Sequence, residues 1–332
     1  MSTATISIFT ILSHQVTIYL GLFILITGCF GGLLNIIIFL SLQTFRQNSC
    51  AFYLTAMSFA NIAHLTNSLL SHIIIYGYGI DWPAKSIIYC KIRFFSIQLF
   101  LLTSLTCMCF ATLDQFLATC FNPFWHRWNN IKVARYAVTG TILVWLLHGI
   151  PSLLYFNVTV SSSNTNLSVC LMTNRVFQQY FTYGYAFILM GILPLVIMVL
   201  FGSLAYYNVR NLAYQTVPLV RRELDKQLTK MVLVQVIFNI FVLIPFVIAA
   251  LVAFNLPAND RISFIQILAV DIHNFYFASP FYIYICVSKR FRQQFIYVFC
   301  NIHFSRFKQV NKNNNRIQPQ PINTSSINHI SK

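Results

Sequence analysis

Seven stretches of the chain, each more than twenty residues long, are apolar and carry few charges. They run approximately 16–42, 51–76, 87–121, 133–155, 178–209, 228–254 and 263–287. A helix needs about 20 mostly apolar residues to cross a bilayer. Inside lipid every backbone polar group must be satisfied within its own segment, so such runs fold as helices. The third run exceeds one bilayer thickness, which a tilted helix accommodates. The expected fold class is an all-α integral membrane protein, a seven-transmembrane helix bundle. No internal repeat is visible, which argues against an inverted-repeat transporter.

Composition agrees. The chain is 57% hydrophobic and 8% charged, where soluble domains carry about 25% charged residues. A soluble fold of 332 residues would lack the side chains to cover its surface. The net charge of +16 does not point to nucleic acid: the basic residues cluster between the apolar runs, and no zinc-finger spacing or RNA-binding motif is present. Of nine cysteines, Cys29, Cys107, Cys109 and Cys286 lie inside apolar runs, where a thiol packs as a small apolar group. None forms a Cys-Xaa-Xaa-Cys pair, so no structural zinc site is expected. Cys90 and Cys170 stand at the ends of runs and are candidates for a disulfide.

Lys and Arg set the orientation, since they accumulate on the cytoplasmic side. With the N-terminus outside, only Lys85, Lys91, Arg93, Arg175 and Arg261 fall outside, and the other 17 fall inside. Residues 1–15 carry no charged side chain and form the expected extracellular tail. No basic segment precedes the first run, so a cleaved signal peptide is not expected. Two glycosylation sequons, at Asn157 and Asn166, fall in a loop assigned outside, and a third at Asn323 falls inside. The segment after residue 300 is rich in Asn, Gln, Ser and Lys and is expected to be a disordered cytoplasmic tail.

From Phe94 to Trp125 the only charged residue is Asp114. Twenty-four helical residues separate it from Cys90, about 36 Å. Cys90 thus lies at one face of the bilayer and Asp114 at the other, where water and basic loops begin.

On these residues the chain resembles the rhodopsin-like (class A) G-protein-coupled receptors, as a divergent member. Where the family has Asp-Arg-Tyr at the inner end of the third span, this chain has Asp114-Gln115-Phe116. Asn35 marks the first span, Asn61 stands where the family usually has Asp, and Trp145 and Pro194 mark the fourth and fifth. Pro245 ends "VLIP", with Leu243 in place of tryptophan. "SPFYIY", with Ser279, Pro280 and Tyr282, stands where the family has Asn-Pro-Xaa-Xaa-Tyr. The amphipathic "KRFRQQF", with Phe291 and Phe295 on one face, looks like the family's eighth helix. The resemblance covers residues 16–300.

It implies a plasma-membrane receptor, not an enzyme, whose partners are an extracellular ligand, a heterotrimeric G protein and membrane lipid. It implies a Cys90–Cys170 disulfide. By family position Ile97, Gln98, Leu101 and Phe246 face the ligand cavity. Asp271, His273 and His64 are added as ionisable groups inside spans. Ile97 stands about where amine receptors need an acid, so a small amine is not expected. The seventh span has no lysine, so a retinal Schiff base is excluded and no cofactor is expected. A peptide-like ligand is the favoured expectation. At the inner end Asp114, Gln115, Phe116 and Asp225 form the switch. Gln115 offers only a neutral hydrogen bond, and Asp114 is expected to find a cation in Arg127, Lys132 or Arg135. Asn35, Asn61, Ser104 and Ser279 are expected to share a polar core. Pro151, Pro194, Pro245 and Pro280 bend their helices. Cys300 is a site for a palmitoyl anchor or an unmodified interfacial cysteine. Two alternatives stay open: a seven-helix transporter or channel, and a receptor fold with weak or no G-protein coupling.

Overall fold

A computed structural model describes residues 8–41, 43–81, 85–120, 123–160, 168–211, 219–256 and 259–298. The described chain is almost wholly helical. Helix α1 is Ile8–Ser41. Helix α2 begins as Ser49–His64 and continues through π-helical Leu65–Leu69, α-helical Leu70–His72 and π-helical Ile73–Gly77. Helix α3 is Ile87–Thr119 and α4 is Ile131–Tyr155. Helix α5 comprises Arg175–Gln179, a π-helical Tyr180–Ile192 and Leu193–Asn211. Helix α6 is Leu219–Asn255. Helix α7 is Asp260–Ala278 and Pro280–Val287, and α8 is Lys289–Ile296. Between α4 and α5 lies an antiparallel hairpin of β1 (Phe156–Val160) and β2 (Ser168–Met172), with Val158 opposite Cys170.

Among the described residues five helical stretches are long and apolar enough to cross a membrane: Ile8–Ser41, Ile87–Thr119, Ile131–Tyr155, Arg175–Arg210 and Lys226–Ala253. The second and seventh apolar runs are also helical, but in pieces. Two π turns divide α2, and α7 is interrupted at Ser279, before a proline that lacks the N–H to continue the ladder. Helix α1 begins at Ile8, not at residue 16, so half of the expected N-terminal tail is helical. Its first turns are held by contacts: Phe9 packs against Phe264 at 5.9 Å, and His14 Nδ1 lies 3.2 Å from the Gly77 carbonyl oxygen.

The helices start where polar side chains satisfy their first free N–H groups. Asn48 Oδ1 accepts from Ala51 N at 3.0 Å, Asn174 from Phe177 N at 3.0 Å and Asn259 from Ile262 N at 2.9 Å. Ser288 Oγ accepts from Phe291 N at 3.1 Å, which ends α7 and starts α8. Helix α3 packs on α2, α4, α5 and α6, and α1 packs on α2 and α7. The α1–α7 approach is close at Gly28. A Cβ there would stand 2.5 Å from Leu65 Cδ1 and 3.1 Å from the Ala278 Cα, so only glycine fits without displacement.

Candidate functional site

Cys90, in the first turn of α3, is bonded to Cys170 of β2, with Cα atoms 6.0 Å apart. This ties the hairpin across one end of the bundle. Phe94 stacks on Phe156 at 3.9 Å beneath it. At this disulfide end lies a cavity of about 600 Å³ between α2, α3, α5, α6 and α7. Its aromatic walls are Tyr76, Phe94, Phe181, Tyr185 and Phe246. His64 and His72 of α2, Arg93 of α3, and His273 and Asn274 of α7 bring polar groups to it.

The expected ligand residues divide. Ile97, Leu101, Phe246, His64 and His273 line the cavity, whereas Gln98 and Asp271 do not. Gln98 stands one residue on from Ile97, about 100° round the helix, and faces α4. Its Oε1 accepts from Ser152 Oγ at 2.6 Å, and its Nε2 lies 3.0 Å from His148 Nδ1. His148 continues to the Tyr180 hydroxyl on α5. Asp271, two residues from His273, is turned to α1 and α2 and is fully buried. Its Oδ2 accepts from Thr17 Oγ1 at 3.3 Å, and its Oδ1 is 3.6 Å from His72 Nε2. His72 thus touches both the cavity and the acid behind its wall. His64 stacks on Phe277 at 3.9 Å and His273 on Phe246 at 4.4 Å. Among the described residues, His64 Nδ1, His273 Nε2, Asn274 Oδ1 and Arg93 Nε are buried with no hydrogen-bond partner.

Below the cavity the expected polar core is two networks, not one. Ser104 Oγ donates to Asn61 Oδ1 and lies 3.4 Å from the Tyr276 hydroxyl, while Asn61 Nδ2 donates to the Phe277 carbonyl at 3.3 Å. Ser279 belongs elsewhere: its Oγ accepts from Gln235 Nε2 of α6 at 3.3 Å, and the same nitrogen donates to Asn239 Oδ1 at 2.9 Å. Asn35 is buried, and its Oδ1 has no hydrogen-bond partner among the described residues. Trp145 Nε1 donates to Thr106 Oγ1 at 3.1 Å, fixing α4 on α3.

At the opposite end, Gln115 Oε1 accepts from Thr229 Oγ1 of α6 at 2.7 Å, with both residues buried. The neutral bond foreseen for Gln115 exists, and Thr229 is its partner, one turn beyond Asp225. Asp225 lies on α6, and its side chain falls outside the described residues. Phe116 packs on Phe201 of α5 at 5.5 Å. Asp114 is buried; its backbone carbonyl accepts from Asn129 Nδ2 at 3.3 Å, and Asn129 Oδ1 accepts from Ser49 Oγ at 3.2 Å. Tyr282, expected in the switch, instead lies on the half-exposed side of α7, where its hydroxyl donates to the Thr27 carbonyl of α1 at 3.0 Å. The inward tyrosine is Tyr284, fully buried against Phe39 and Phe291. Pro280 occupies the first turn of the last α7 segment.

Several contacting residues carry no motif. Gln227 Oε1 of α6 accepts from Ser288 Oγ at 2.9 Å and Arg290 N at 3.0 Å, joining α6 to α8. Gln235, Asn239, Asn129 and Ser152 are of the same kind. Their one signal is a polar side chain within or beside an apolar run. Asn157 stands in β1, whereas Asn166, Asn323 and Cys300 fall outside the described residues, as does the tail from 301 to 332.

No curated protein matches the sequence significantly. A family profile described as 7 transmembrane receptor (rhodopsin family) matches residues 31–282, about three quarters of the chain. The match spans Asn35, the disulfide, the cavity and the Gln115–Thr229 contact. The chain belongs to this rhodopsin family of G-protein-coupled receptors, which are multi-pass membrane receptors and not enzymes.

Proposed function

We propose that the chain is a plasma-membrane receptor that crosses the bilayer seven times, with its N-terminus outside. On this reading residues 16–300 form the receptor domain, with α8 lying along the inner membrane surface, and residues 301–332 are the cytoplasmic tail. Residues 1–15 are the outer segment, of which 8–15 extend α1 beyond the membrane. Asn157, in the hairpin that the disulfide holds, carries a glycan, and so does Asn166 of the same loop of the sequence. The cavity binds an extracellular ligand, peptide-like in preference to a small amine, because among the described residues its lining holds no acid to pair with an ammonium group.

Binding favours one arrangement of helices by its differential affinity for the two, and the inner end presents the result to a G protein. The observation that carries this reading is the geometry of α3. One helix lines the cavity through Ile97 and Leu101 and, four turns later, holds α6 through the Gln115–Thr229 bond. A neutral bond restrains α6 less than an ion pair would, which favours coupling that is weak or partly ligand-independent. The test is basal and stimulated coupling of the wild type and Gln115→Arg in cells, across all G-protein classes. Coupling to at least one class is expected. Silence of both proteins in every class would overturn the signalling role.

A further inference from the structure

Resting on the reading of this cavity as the ligand site, we infer that its ligand is a carboxylate, with the acid group on Arg93 and an apolar body below it. Among the described residues the lining includes Arg93, His64, His72 and His273 but no Asp or Glu. His72 faces Asp271 behind the wall at 3.6 Å, so a proton on that histidine meets an acid already in place. Among the described lining residues Arg93 faces no acid; its guanidinium lies 5.2 Å from the Phe94 ring centroid. Asp81, the acid that acts on it, is not part of the lining.

The Arg93 Nε is buried with no hydrogen-bond partner among the described residues. A guanidinium does not shed its proton inside a protein, and an unmet buried donor costs free energy until an acceptor reaches it. Its planar fork matches the two oxygens of a carboxylate. One cation balances one negative charge, whereas a phosphate dianion would bring surplus charge into an apolar wall.

The body follows from the helix below. Ile97 and Leu101 stand four and eight residues beyond Arg93 on one face of α3, which puts the floor about 12 Å below the guanidinium. Phe181, Tyr185 and Phe246 enclose that depth. Near the floor His64 Nδ1 and His273 Nε2, on residues 2% and 4% exposed, hold unused hydrogen-bonding capacity. The chemistry is therefore an aliphatic or aromatic acid. The C-terminal carboxylate of a short peptide and a free organic acid both supply it.

The experiment uses the full-length receptor in nanodiscs and its thermal unfolding with two matched probe pairs. One pair is N-acetyl-diphenylalanine as free acid and as amide; the other is decanoate and decanamide. At least one acid is expected to raise the unfolding temperature saturably, with its amide without effect, and the responding pair identifies the source. Arg93→Gln should weaken that acid about tenfold to hundredfold, and Arg93→Lys less. The unliganded Arg93→Gln protein loses the guanidinium's contact with the Phe94 ring at 5.2 Å, so its own unfolding temperature is the baseline for each probe. The inference is overturned if neither acid binds, if an amide binds as well as its acid, or if Arg93→Gln binds the acid unchanged. Leu101→Trp, which fills the floor, separates the two claims. Amides that bind wild type and are lost in Leu101→Trp leave the cavity as the ligand site and refute only the carboxylate. Probes indifferent to both substitutions bind elsewhere and refute both.

Discussion

Replacing Thr229 with valine keeps the shape of the side chain and deletes the hydroxyl that donates to Gln115 Oε1 at 2.7 Å. Gln115 is 1% exposed and Thr229 2%, so water cannot substitute while the ends of α3 and α6 are together. An acceptor stranded in this way costs about 1–3 kcal/mol. The cost falls on the closed arrangement, because separation of the helices lets water reach the amide. At 1.4 kcal/mol per tenfold, the open fraction should rise by roughly fivefold to a hundredfold. Gln115→Leu combined with Thr229→Val removes both polar partners, which is nearly neutral, and should return the balance most of the way. Spin labels at the exposed Lys132 and Lys230, in a background lacking the exposed Cys286 and the half-buried Cys120, read the separation directly by pulsed dipolar spectroscopy. Identical distance distributions for wild type and Thr229→Val would refute the role given to this bond. So would a double variant more open than the single one.

Three further outcomes are expected, each followed by reaction of the buried thiols of Cys50, Cys107 and Cys109 with a dye on heating. Asp271→Ala takes the acceptor from Thr17 and should destabilise by about 1–3 kcal/mol, with Asp271→Asn, which keeps an acceptor for Thr17, in between; equal unfolding temperatures would show that the contact contributes nothing. Gly28→Val forces α1 from Leu65 and Ala278 and should cost about 1–3 kcal/mol, whereas an unchanged unfolding temperature would mean the helices are not so close. Cys90→Ser frees the hairpin and should cost about 2–4 kcal/mol, with less receptor at the cell surface. Full stability and normal surface display would deny the disulfide its tethering role.

Much of the bundle was legible because lipid imposes a simple rule: long apolar runs become helices. The helix starts were less so. A single Asn or Ser cap at Asn48, Asn174 or Ser288 competes with an apolar pattern that runs on past it. Helix α1 starts ahead of the expected span because Ile8, Phe9, Ile11 and Leu12 add two apolar turns to a run already long enough to cross. Five of the seven expected residues line the cavity: Ile97, Leu101 and Phe246 follow from family position, His64 and His273 from being ionisable groups inside spans. The other two failed for one geometric reason: neighbours such as Ile97 and Gln98, or Asp271 and His273, face different partners, and a sequence does not say which face is inward. Neutral amides were harder. Gln227, Gln235 and Asn239 carry contacts between helices, yet attention to ionisable groups passes over them. The π turns were invisible, since no residue type specifies them.

Those turns have an effect on how the chain can change. Tyr180–Ile192 holds thirteen residues in the loose winding, just ahead of Pro194. Such a coil stores spare chain. Loss of one codon there would let the backbone tighten toward ordinary winding, while Phe177 before it and Pro194 after it keep their seats. The same loss in the uniformly wound Ile87–Thr119 would rotate everything after it, parting Gln115 from Thr229 or Ile97 from the cavity. Among kindred sequences, insertions and deletions inside a span should therefore collect in the fifth and spare the third.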